Sequence, residues 1–94
     1  MNDYTLSFAV GNSRIDEMDV DHEKIDDCTL ALLHLVSFKE GLGVRAWKSF
    51  DWETMNRLHE KGYISDPKNK NKSVVLSEEG GARAEELFKR LFAK

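Results

Sequence analysis

The chain has 94 residues, 33% of them charged and 40% hydrophobic, which bounds it to one globular domain and excludes a disordered or low-complexity protein. No apolar run approaches the roughly 20 residues that span a bilayer, and the first residues lack the basic start and apolar core of a secretory signal. The single cysteine, Cys28, excludes an internal disulfide, so a reducing, cytoplasmic setting with no membrane contact is expected.

The net charge of −3 is unevenly spread. Residues 1–38 hold 8 acids and 2 bases, whereas residues 39–94 hold 9 acids and 12 bases. Such asymmetry fits a basic interaction face with an acidic arm, and equally the ordinary charge dressing of a soluble surface.

Tyr4, Leu6, Phe8 and Val10 alternate with Thr5, Ser7 and Ala9, a period-2 pattern that predicts an edge strand at residues 4–10 or an unpaired extension. Asp21 is placed to cap a helix over about 22–38, with Glu23 in its first turn. Ile25, Cys28, Leu32, Leu35 and Val36 recur at helical spacing, and Leu30, Ala31 and Leu33 widen that apolar face. This helix should be the most buried of the domain. Lys39 to Gly43 reads as a loop because of its two glycines, and Arg45–Ser49 as a single helical turn.

Asp51 caps a second helix over 52–61, with Trp52, Met55 and Leu58 as its inner stripe. Gly62 supplies a left-handed stop, and Ile64 makes the apolar contact that accompanies it. Residues 63–65 predict a short strand, Asp66-Pro67 a turn, and Lys68-Asn69-Lys70-Asn71-Lys72 a basic loop tip. The β-branched residues 73–76 should pair back antiparallel. Ser77 caps a last helix over 78–92, whose Ala84, Leu87, Phe88, Leu91 and Phe92 repeat at inward spacing. The expected core is Ile25, Leu32, Leu35, Val36, Trp52, Met55, Leu58, Ile64, Val75, Leu87, Phe88 and Leu91. The order of elements gives an α+β, winged helix-like domain with three main helices and a small antiparallel wing hairpin.

The run NRLHEKGYI followed by KSVVLSEEG resembles the recognition helix, wing and following helix of bacterial winged-helix regulators. More closely, RAWKSFDW, RLHEKGYISDP and KSVVLSEEGGARAEELFKRLF resemble a small bacterial family known only as a domain of unknown function. That likeness covers about residues 18–94 and implies that residues 1–17 are an N-terminal extension. The winged-helix likeness implies duplex DNA as a partner. One departure bears on this: the segment before Trp52 is too short for the helix that braces a recognition helix against the DNA backbone.

Phosphates are neutralised by Lys and Arg, and the candidate nucleic-acid-binding residues are Arg45, Lys48, Arg57, Lys61, Lys68, Lys70 and Lys72. Against them stand Asp51 and Glu53, carboxylates at the end of the helix that would read base edges. Trp47 and Phe92 are the candidate interface residues, Trp47 because exposed tryptophans anchor protein contacts. The alternative for Trp47, as for Phe50 and Trp52, is a place in the core.

Metal and catalytic signals are weak. Cys28 and His34 are six residues apart and fall on different helix faces, while His22 and Asp26 supply only two ligands. Ser49, His59 and Asp51 lack a nucleophile elbow and an oxyanion loop, and Gly80-Gly81 lacks the Lys-Ser/Thr of a phosphate loop. No metal, cofactor, small-molecule ligand or enzymatic activity is expected. Two functions remain. One is a nucleic-acid-binding regulator acting through the basic wing and helix 52–61. The other is a protein-interaction module, in one form a homodimer, that uses the scaffold without binding DNA.

Overall fold

In the computed structural model, which describes residues 19–94, the first helix, α1 (His22–Leu35), starts where expected. The Asp21 carboxylate accepts the backbone N–H of Lys24 at 3.1 Å and so satisfies one of the orphan donors of the first turn. The predicted strand at residues 4–10 and the boundary at residue 17 lie outside the described residues.

The inner face of α1 is not the one expected. Leu30, Ala31 and Leu33 are fully buried, with Asp26 and Thr29 beside them. Ile25 and Leu35, assigned to the core, are 37% and 62% exposed, and Leu32 and Val36 are half-buried. The helix is apolar on both sides, so periodicity alone could not say which side turns inward. Asp26 decides it, because the basic side chains that hold it come from another helix inside the fold.

Residues 37–47 form a β-hairpin in place of the predicted loop and helical turn. Strands β1 (Ser37–Glu40) and β2 (Gly43–Trp47) pair antiparallel, with Phe38 opposite Arg45 and Lys39 opposite Val44. The connection is the two residues Gly41 and Leu42, with Gly41 at φ 63. A glycine in the first position of a two-residue turn gives the hairpin a twist that matches its strands. Spacing tuned to a helical turn missed this, because Val44 and Ala46 alternate inward with period two.

Helix α2 (Trp52–Glu60) has its N–H of Thr54 on the Asp51 carboxylate at 3.1 Å, as expected. It ends at Gly62, φ 84. The N–H of Tyr63 reaches Leu58 O at 3.1 Å and that of Gly62 reaches His59 O at 2.9 Å, the paired bonds of a Schellman stop. Met55 and Leu58 are fully buried. Trp52 is not: it is 53% exposed, because the first residue of so short a helix lies beyond the reach of the core.

The wing then runs out and back. Its return strand, β3 (Ser73–Leu76), pairs along its length with β2, giving an antiparallel sheet of order β1-β2-β3. On its other side Ile64 bridges Leu76, Ser65 N–H donates to Val75 O at 2.8 Å, and Ser77 N–H donates to Tyr63 O at 2.9 Å. The outgoing arm is therefore antiparallel as predicted, but bridged at one point.

Helix α3 (Glu78–Phe92) begins at Ser77, whose hydroxyl accepts the N–H of Gly80 at 2.9 Å. Gly80 is required there by a close approach. A Cβ on it would lie 2.0 Å from the Tyr63 carbonyl oxygen, so the helix start presses on the wing base. Ala84 and Leu87 are buried and Phe88 is half-buried against the core, but Leu91 is 45% exposed because α3 outruns the elements beneath it. Of the remaining expected core, Ile64 is buried and Val75 half-buried, with Val74 and Leu76 as the inner pair of β3. Three helices and a three-stranded antiparallel sheet make an α+β domain whose arrangement is consistent with a winged helix.

Candidate interaction surfaces

The seven candidate phosphate-binding cations divide into two groups. Arg57 and Lys61 lie one helical turn apart on α2, and both point at Asp26 of α1. Arg57 Nε is 2.9 Å and 3.1 Å from the two carboxylate oxygens, and Lys61 Nζ is 2.8 Å from Oδ2. Glu23 completes the cluster, 2.8 Å from Lys61 Nζ. Burial pushes the Asp26 carboxyl up, but hydrogen bonds and charge from Arg57 and Lys61 outweigh it and leave it below the usual carboxylate range. The Asp26 carboxylate raises Arg57, and Asp26 with Glu23 raises Lys61 against the opposing effect of burial. Asp26 is only 1% exposed, so a phosphate could take these cations only by stranding a buried carboxylate.

Arg45 and Lys48 are also engaged. Arg45 Nε donates to Ser73 Oγ at 2.8 Å and Nη2 to Ser73 O at 3.2 Å. Lys48 Nζ donates to Pro67 O at 2.7 Å and to Asn69 O at 3.0 Å. These two side chains tie the wing to the sheet. Lys68, Lys70 and Lys72 form the second group. All three are exposed, and no ion pair among the described residues takes their amines. Asp66 and Asn69 shape the turn beneath them by accepting the N–H groups of Lys68 and Asn71. Asp51, Glu53 and Glu60, at the cap and along α2, are exposed as well.

Apolar side chains are exposed as well. Trp47 is 52% exposed and rests on Phe38, ring centroids 5.1 Å apart. Trp52 and Leu42 are exposed elsewhere on the molecule. The outward side of α1 carries Ile25, Cys28, Leu32 and Leu35, with Lys24 as its charged member. Beyond it lies the end of α3, where Phe88 stacks on His34 at 5.2 Å and Phe92 on Phe88 at 5.4 Å. Phe92, a candidate interface residue, is 48% exposed there.

A half-open groove of about 810 Å³ lies between the hairpin and the first turns of α3, lined by His34, Phe38, Lys39, Leu42, Val44, Glu78 and Glu85 among others. Of the histidine, serine and aspartate considered for catalysis, His59 is occupied by the Ile64 carbonyl at 3.0 Å, and Asp51 by Thr54. No cluster of three metal-ligating side chains occurs among the described residues, and none of their helices is long and apolar enough to cross a membrane.

The Asp26 cluster was missed in the sequence, although a signal was there. An aspartate inside an apolar helical face needs a cation, and Arg57 and Lys61 offered two at i, i+4.

Residues 21–94 match a family described as a domain of unknown function, DUF6429. The chain is also 56% identical over 77 residues to the "Uncharacterized protein y4hR" of Sinorhizobium fredii, a match that covers 82% of this chain and 100% of that relative. No solved structure matches it. The family match spans the capped helices, the hairpin, the wing and the Asp26 cluster together, and the chain belongs to this bacterial DUF6429 family.

Proposed function

We propose that this chain is a non-enzymatic protein-interaction module, which uses a winged-helix-like scaffold to present the outer side of α1 to a protein partner. The observation that carries this reading is that α1 is apolar on both sides while only one side is buried. Ile25, Cys28 and Leu35 face outward, and contiguous apolar exposure of this kind marks protein contacts. The fate of the cations supports it, since four of the seven are engaged inside the domain.

Cys28 reports on that face. Its alkylation rate in cells should fall at least about tenfold below that of the dilute pure chain, and Leu35→Glu should restore it. Equal rates in both settings would remove the reading.

Nucleic-acid binding through the wing is the second reading, favoured by the three lysines exposed at its tip. Three phosphate contacts give a log–log salt slope no steeper than about −3, where seven would give about −6. A slope near the larger value would return Arg57 and Lys61 to the binding face. No binding to duplex DNA at ~50 mM salt would end this reading, because nonspecific affinity is greatest there.

A further inference from the structure

We infer that the occupant of the outer face of α1 is a second copy of this chain, lying antiparallel across a two-fold axis that passes between the two helices, level with their midpoints. This rests on reading the face as a docking surface, and goes further by naming what docks.

Two observations select the partner. The first is spacing. Ile25, Cys28, Leu32 and Leu35 stand three, four and three residues apart, the seam spacing of paired helices. That spacing is the same from either end. Turned about its midpoint, the stripe meets itself with Ile25 opposite Leu35 and Cys28 opposite Leu32. Such a self-matching patch is what a two-fold interface requires.

The second is charge, which selects the antiparallel arrangement over the parallel one. The start of α1 carries exposed Asp19, Asp21 and Glu23, which outnumber its one lysine, Lys24, although Glu23 also pairs with Lys61. Helices α1 and α3 run side by side in the same direction, since Arg83 approaches Asp27 at 3.9 Å and Phe88 stacks on His34 further along both. The end of α3, where Lys89, Arg90 and Lys94 outnumber Glu85 and Glu86, the carboxylates with which the first two pair, therefore lies beside the end of α1. A parallel pair would set two acidic starts together. An antiparallel pair sets each acidic start against the other copy's basic end, and opposes the helix dipoles.

Light scattering on the full chain from ~1 to ~200 μM should show a concentration-dependent dimer, with the dissociation constant rising several-fold between ~50 and ~500 mM salt as the end charges are screened. Leu35→Glu should be monomeric throughout while keeping the urea transition of the dilute, monomeric wild type. Leu32→Cys should give an interchain disulfide under mild oxidation between the introduced thiol and the other copy's Cys28. Wild-type Cys28 should not couple to its counterpart, from which it is offset about 6 Å along the axis. A ready wild-type disulfide would mean a parallel pair and overturn the proposal. A chain still monomeric at ~200 μM overturns it too, and Cys28 then separates the two readings. A freely alkylated Cys28 leaves the docking face to a different protein. A protected one means the chain's own first residues cover it, and the docking reading falls as well.

Discussion

The two sides of α1 differ in how far their chemistry is completed. Inward, Asp26 has an arginine, a lysine and a neighbouring carboxylate arranged around it, and Leu30 and Leu33 have no exposed surface. Outward, Ile25 and Leu35 keep much of theirs. A side chain with all its partners in place contributes to folding and has little left to offer another molecule. One still in contact with water retains that free energy for association. By this criterion the basic face of α2 is spent, and the apolar face of α1 is not.

The contrast can be tested by substitution, starting with the inner side. Leu30→Ala should cost about 3 kcal/mol in urea unfolding, whereas Leu35→Ala in the dilute chain should stay within about 0.5 kcal/mol. Equal costs would mean that the outer face is covered within one chain. Asp26→Ala should cost a similar amount, about 3 kcal/mol, near the low end for a broken buried pair because Arg57 and Lys61 can partly rehydrate.

Gly80 and Gly81 give a smaller contrast within one helix turn. Gly80→Ala should cost about 1–3 kcal/mol, since its Cβ meets the Tyr63 backbone, while Gly81→Ala, with nothing within 4 Å, should gain about 0.5–1 kcal/mol from helix propensity. If both cost alike, the wing base does not sit where the helix start requires it to.

The pH dependence has a definite sign. The Asp26 carboxyl lies below its ordinary value of 3.8, so its contribution is full above that value and is lost as the pH falls through the folded one. Lys61 lies above its ordinary 10.5, so its contribution is full below that value and is lost as the pH rises through the folded one. Urea transitions followed into acid should therefore weaken more steeply for the wild type than for Asp26→Asn. Parallel acid limbs would exclude Asp26 as the responsible group.

Much of the framework was legible in the sequence because it depends on local chemistry. Asp51, Gly62 and Ser77 mark helix ends through bonds to residues two to four positions away, and each does so in the structure. The lysine-tipped wing was legible for the same reason. What escaped depends on long-range pairing. Lys39 to Gly43 resembles a loop until β2 is set against β3, and the inner side of α1 is fixed by Arg57, 31 residues beyond Asp26. The candidate cations were correctly identified as basic. Which of them are available depends on where their carboxylate and carbonyl partners lie in the fold.

The Ser77 hydroxyl has a mechanical consequence. It donates to Gly62 O at 2.6 Å and accepts from Gly80 N–H at 2.9 Å, so one oxygen closes the exit of α2 and the entry of α3. The two ends of the wing are thus clasped at a single point. The wing cannot swing from its root as a hinged flap, and whatever adaptability it has is confined to the lysine-bearing tip. A partner that required the whole arm to move would first have to undo both helix ends together.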